Sequence, residues 1–120
     1  PPGVAAAQKA AVEVLMTEPQ HVKRLWSNTD YFRSELESLG FDTGMSETPI
    51  IPVMCGESSL AQELSSALRE QGVMVGAIVF PMVARDKARV RTQISAGLSR
   101  EDLDEVLAKF DACGRELGLI

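Results

Sequence analysis

Residues 4 to 16 are rich in Ala, Val and Leu and carry only two charges, Lys9 and Glu13. Alanine is the best helix former, and prolines at positions 1 and 2 suit a helix start, so this stretch predicts a helix. A helix this apolar cannot stand alone in water, so it is expected to pack against further protein or a partner chain. Thr17, Glu18 and Pro19 interrupt it. From about 19 to 39 the apolar residues Val22, Leu25, Phe32, Leu36 and Leu39 recur at three- and four-residue steps, with Trp26 widening the stripe. That spacing predicts a second, amphipathic helix, which Gly40 can close in a left-handed conformation.

Beyond Gly40 the period shortens. Ile50 to Met54 predicts a strand that Pro52 confines to an edge or a bulge. Leu60, Ala61, Leu64, Ala67 and Leu68 define a helix from roughly 58 to 71, stopped by Gly72. The β-branched run Val73 to Phe80 predicts a buried strand, ended by Pro81, and 82 to 87 a polar loop. Arg89 to Ser95 alternate: Arg89, Arg91, Gln93 and Ser95 share one face, Val90, Thr92 and Ile94 the other. Ser99-Arg100-Glu101-Asp102 has the form of a capping box ahead of a final helix built on Leu103, Val106, Leu107, Phe110 and Leu117. The expected fold class is α+β: helices over 3–39, then an α+β layer over 41–120, with a short, mostly antiparallel sheet covered on one side.

A chain of 120 residues holds one core, so a single domain over 1–120 is expected. The net charge of −5 argues against binding nucleic acid or an anionic membrane surface. No apolar run approaches the ~20 residues of a membrane span, and no signal-peptide pattern opens the chain, which reads as cytoplasmic. The missing initiator Met suggests that other polypeptide preceded Pro1.

Candidate chemistry is sparse. Cys55 and Cys113 are too far apart for a metal motif and read as small buried apolar groups. His21 sits among charges on a predicted helix, with no nucleophile beside it. The acids Glu101, Asp102, Asp104 and Glu105 suit the first turns of a helix, where they complement its dipole. Arg89-Val90-Arg91 is the exception. An arginine on a strand facing a cleft can hold a carboxylate through two parallel hydrogen bonds, although either arginine could instead pair with Asp86 or Glu47, or point to solvent.

At these residues a resemblance becomes visible. Phe80-Pro81-Met82-Val83, then Lys87-Ala88-Arg89-Val90-Arg91-Thr92-Gln93-Ile94-Ser95-Ala96, resembles the last strand region of the α-oxoamine synthases. Other blocks agree in order: Pro1-Pro2 with Val4-Ala5-Ala6-Ala7, Leu39 to Gly44, Thr48 to Val53, and Glu70-Gln71-Gly72-Val73. Gly114-Arg115-Glu116-Leu117-Gly118 resembles the ending of the glycine C-acetyltransferase (2-amino-3-ketobutyrate CoA ligase) branch. The resemblance implies the small C-terminal domain of a fold-type-I, pyridoxal-phosphate-dependent transferase. Such enzymes work as homodimers that condense an amino acid, here glycine, with an acyl-CoA.

It also implies that Arg91 grips the amino-acid carboxylate while Arg89 is structural. The catalytic and cofactor-binding residues are implied to lie in a large domain outside this chain, which by itself is expected to be inactive. Where the family has Pro-x-Gly before the arginines, this chain has Ala84-Arg85-Asp86. Where it has Ala-Ala-His-Thr after the strand, this chain has Ala96-Gly97-Leu98-Ser99. The alternatives are a serine palmitoyltransferase-like or 8-amino-7-oxononanoate synthase-like branch, or a non-catalytic α+β interaction module.

Overall fold

The computed structural model describes residues 2–120, so the expected proline start falls partly outside them, at Pro1. The elements run α1 (Pro2–Thr17), α2 (Gln20–Leu39), β1 (Ile50–Gly56), α3 (Ser58–Glu70), β2 (Gly76–Ile78), β3 (Ala88–Gln93) and α4 (Arg100–Glu116). Gly40 closes α2 at φ 110°, in the left-handed conformation expected of it. The three strands form an antiparallel sheet in the order β1-β3-β2. Pro52 therefore lies on an edge strand, where a missing amide costs no ladder bond, and a bulge interrupts the register between Met54 and Gly56.

One face of this sheet is covered. Ile51, Val53 and Val90 project from it against Leu64 and Leu68 of α3, Phe32 and Leu36 of α2, and Leu103 and Phe110 of α4, all of them buried. Each such side chain contributes about 2 kcal/mol on leaving water. Phe110 is the hub, meeting Phe32 and Phe41 edge-on at centroid distances of 6.1 and 5.9 Å. Phe41 can lie so close to α4 only because position 114 is glycine: a β-carbon there would stand 2.5 Å from the tip of the Phe41 ring.

α2 is joined to the segment after β3 by Asn28, whose buried amide donates to the carbonyls of Ser95 and Leu98, both at 3.0 Å. The capping box of α4 is complete: the Ser99 hydroxyl accepts from the Asp102 amide, and the Asp102 carboxylate accepts from the Ser99 amide.

Three expectations need correction. The strand expected over Val73 to Phe80 shrinks to Gly76–Ile78 and is not buried. Its first residues are drawn to α3 instead, because the Val73 amide donates to the Leu68 carbonyl at 2.8 Å and the Val75 carbonyl accepts from Ser65 Oγ at 2.9 Å. The apolar stripe of α2 is covered only in its later turns: Phe32 and Leu36 are buried, but Val22 and Trp26 are about two-fifths exposed. The alternating strand ends at Gln93 rather than Ser95.

Along α1 every residue from Gly3 onward is exposed, including Val4, Val12, Leu15 and Met16, so nothing among the described residues covers the apolar helix. Among the described residues no helix is long and apolar enough to cross a membrane.

Two outcomes follow from this packing. Gly114→Ala should lower the unfolding free energy by about 1–3 kcal/mol in a denaturant titration, because the ring of Phe41 has to move. Ser99→Ala should cost about 1 kcal/mol at neutral pH. The Ser99 amide and hydroxyl hold the Asp102 carboxyl below its ordinary value of 3.8. A carboxylate depressed in the folded state stabilises it above the unfolded-state value and loses that contribution as pH falls through the folded one. The gap between wild type and Asp102→Asn, which removes the titrating carboxylate, should therefore be full at pH 7 and shrink below about pH 4, as read by unfolding curves at both.

Candidate functional site

The second face of the sheet is open, and the alternation of β3 decides what it shows. With Ala88, Val90 and Thr92 turned into the core, Arg89, Arg91 and Gln93 must project the other way. The register then sets their neighbours. Arg91 stands between Pro52 on β1 and Gly76 on β2, and Arg89 between Met54 and Ile78. Glycine has no side chain and proline only a short ring, so the long Arg91 side chain rises from a trench. A β-carbon built on Gly76 would meet nothing within 4 Å.

Arg91 lines two adjoining cavities. The larger, about 690 Å³, is bounded by Lys87, Arg89 and Arg91, by Ser46 and Thr48, and by apolar side chains of β1 and β2, with no acidic residue in its walls. A smaller one of about 380 Å³ lies on the other side of Arg91, toward Met74 and Gln93. In a chain of net charge −5, a cavity walled by three cations and no carboxylate is a local site for an anion.

Neither arginine pairs with Asp86 or Glu47; among the described residues the Arg91 side chain enters no ion pair and no hydrogen bond. Arg89 is partly tied down, its Nε donating to the Lys87 carbonyl at 3.1 Å.

The rim segment 41–49 is held by short-range hydrogen bonds. Asp42 accepts from the Gly44 amide at 2.8 Å, Thr43 donates to Glu37 at 2.8 Å, and Arg33 reaches from α2 to the Thr48 carbonyl at 3.1 Å. In the turn before β3, next to Lys87, Asp86 takes φ 62°, left-handed backbone. That residue stands where the α-oxoamine synthases have glycine, and aspartate is one of the few side chains that enter this region without a large penalty. Ser99 likewise keeps the helix-capping role at the second departure from the family pattern.

The remaining candidates lie elsewhere. His21 is exposed on the first turn of α2, 3.3 Å from Glu18. Cys113 is buried, and Cys55 is half-buried with its thiol pushed up to about 11 by desolvation, so both behave as apolar groups. Of the acidic run on α4, Asp104 accepts a hydrogen bond from Tyr31, whose ring carries the Arg100 guanidinium 3.6 Å from its centroid. Among the described residues no group of three or more His, Cys, Asp or Glu could hold a metal ion. Sequence reasoning missed Gly76 and Asn28. Gly76 matters only through a cross-strand register, and Asn28 through a carbonyl pair some seventy residues away in the chain.

Comparison with known proteins gives this geometry its context. The model of the family "Aminotransferase class I and II" matches residues 2–110. The 8-amino-7-oxononanoate synthase of Symbiobacterium thermophilum is 56% identical over all 120 residues, which span 31% of that protein. A Thermus thermophilus protein named both 8-amino-7-oxononanoate synthase and 2-amino-3-ketobutyrate coenzyme A ligase is 47% identical over the whole chain and 30% of its own length. Among solved structures, a serine palmitoyltransferase from S. paucimobilis with a bound PLP–myriocin adduct superposes on the whole chain and 31% of its own, at a TM-score of 0.91 and 31% identity. The chain thus spans about a third of the length of these relatives. The family match over 2–110 and the likeness to these synthases agree with the residue blocks around Arg91: the chain belongs to the aminotransferase class I and II family and, within it, to the α-oxoamine synthases.

Proposed function

We propose that this chain is the C-terminal small domain of a pyridoxal-phosphate-dependent acyltransferase, and that Arg91 binds the carboxylate of the amino acid it condenses with an acyl-CoA. One observation carries the reading: an unpaired guanidinium, set between a glycine and a proline, in a cavity without acids. A planar guanidinium offers two parallel N–H donors to a carboxylate, fixing its position and plane together. Holding the carboxylate fixes the direction of the bonds at the adjacent carbon, an orientation effect worth several kcal/mol. Arg89, tethered to the Lys87 carbonyl, shapes the cavity wall.

The residues present fit the substrate's carboxylate and not the cofactor itself. Lys9 and Lys23 lie exposed on α1 and α2, Lys109 pairs with Glu105 at 3.1 Å, and Lys87 is exposed in the turn before β3. We assign the covalent anchor and the cradle of pyridoxal phosphate to the additional polypeptide that the longer relatives possess. When bound, the cofactor would supply an electron sink for the carbanion. The bare apolar surface of α1 is assigned to the same additional polypeptide or to a second copy in a homodimer, and the chain alone is assigned no activity.

Two branches are supported by different observations. The names of several relatives favour an 8-amino-7-oxononanoate synthase-like reaction. That product's skeleton forms when alanine joins a dicarboxylic acyl-CoA and CO₂ leaves. The ending Gly114 to Gly118, together with the double name of the Thermus relative, favours glycine and acetyl-CoA, with the carboxylate kept in the first product. Assaying the full-length protein against glycine and alanine, each with short and dicarboxylic acyl-CoAs, decides between them. No CoA release with any pair overturns the acyltransferase reading.

In the active full-length protein, Arg91→Ala should raise the amino-acid KM about 100-fold or more, the loss of two charge-assisted hydrogen bonds. The cofactor's absorbance should stay unchanged. Arg91→Lys should recover only part of the loss, because a point charge does not reproduce the fork. An unaltered KM in Arg91→Ala would remove the assigned role. Gly76→Leu should leave unfolding within about 0.5 kcal/mol of wild type, since its side chain enters open space, yet raise the same KM by crowding the guanidinium.

A further inference from the structure

Arg91 is one of three cations on the open face, and a single carboxylate leaves two of them unanswered. Lys87, Arg89 and Arg91 follow one another from the turn before β3 into the strand, and all three line the cavity of about 690 Å³. Arg89 and Arg91 lie two residues apart on one strand face, so their bases stand about 7 Å from each other. Asp86, the nearest acid in sequence, lines a separate cavity with Glu57 and Ser58. Among the described residues neither Lys87 nor Arg89 enters an ion pair, whereas Lys109 and Arg115 on α4 meet Glu105 and Asp111. Like charges set in a row repel, and a bound anion relieves that repulsion.

Arg89 is held in a way that suits such an anion. Its Nε donates to the Lys87 carbonyl at 3.1 Å, which orients the guanidinium and leaves both terminal nitrogens without a partner among the described residues. Met54 and Ile78 flank it across the sheet, and with Ile50 and Pro52 they give the cavity an apolar wall beside the charges. The row therefore offers one charge at Arg91, an apolar flank, and two further charges beyond.

A molecule with a carboxylate at each end and methylenes between them matches that order. When an amino acid with its carboxylate on Arg91 joins a dicarboxylic acyl group of about seven carbons, the second carboxylate lies on the order of 10 Å from the first in an extended chain. One step of the row from Arg91 is about 7 Å and two steps are about 13 Å, so the second carboxylate arrives between Arg89 and Lys87.

We infer that Arg89 and Lys87 form a second anion subsite, which takes the distal carboxylate of a dicarboxylic acyl group while Arg91 holds the amino acid. The inference rests on the acyltransferase reading for the reaction, and it makes these two residues the determinants that select a dicarboxylic acyl group over acetyl. An acetyl group would leave both cations unanswered.

The test uses the full-length protein with its cofactor. The ratio of kcat/KM for heptanedioyl-CoA to that for heptanoyl-CoA is measured within each variant, so that any general loss of activity cancels. The two acyl groups differ only in the terminal carboxylate. Wild type should favour the dicarboxylic substrate about 100-fold or more, the effect of two charge-assisted contacts. Lys87→Gln and Arg89→Gln should each lower that ratio about tenfold, and Arg89→Lys, which keeps the charge, should retain more of it than Arg89→Gln. Should Arg89→Gln fail to fold, Lys87→Gln in the exposed turn still reads the subsite. Acyl transfer with a ratio near one in wild type, or a ratio unaltered in Lys87→Gln, overturns the inference and leaves the acyltransferase reading intact.

A binding measurement separates the two failures. Calorimetric titration with heptanedioate and with heptanoate should show the dianion bound at least tenfold tighter, and that difference should shrink in Lys87→Gln. Equal affinities overturn the subsite. Tighter dianion binding in a protein that releases no CoA with any substrate would keep the subsite and remove the reaction.

Discussion

The register of β3 is the constraint on which the rest depends. Its side chains alternate between a dry face and an open one, so a slip of a single residue would turn Arg91 into the core and Val90 out of it. That slip is resisted from both sides. Val90 and Thr92 lie under α3 and its neighbours, and the Thr92 hydroxyl reaches across to the Ile51 carbonyl on β1. A buried valine and a satisfied buried hydroxyl thereby fix where a guanidinium stands on the far side of the sheet. Core packing and the anion site are two faces of one strand.

Much of this was legible in the chain itself. The helices follow from their three- and four-residue periods and their glycine stops, and Ser99 and Asp102 announce the capping box. The alternation from Arg89 to Gln93 separates the core from the open face without reference to anything distant. Pro52 correctly marks an edge. The run Val73 to Phe80 misleads because its β-branched residues are apolar for another reason. Val73 and Val75 pack on the core through α3, and their backbone groups bond to that helix rather than to a strand. Local propensity cannot distinguish a valine that pairs from one that merely packs.

The site was legible in part. Arg91 stands out by type and alternation, and the resemblance to the α-oxoamine synthases gives it a task. What makes its surroundings suit that task is the company of Pro52 and Gly76, which comes from pairing registers between segments tens of residues apart. Asp86 shows the reverse relation. As a departure from the family pattern it casts doubt on the loop, yet its φ of 62° shows the turn kept, with aspartate in the backbone geometry that glycine favours.

The sheet's two borders have a consequence for the behaviour of the whole molecule. An unprotected strand margin recruits other strands, and small sheets with one bare face are vulnerable to stacking and fibril growth. Here one margin carries an imino acid and a bulge, and the other is only three residues long. Neither offers a run of free amides long enough to template a foreign strand. The molecule can thus keep an open, cation-bearing face ready for a ligand without inviting its own kind to polymerise on it.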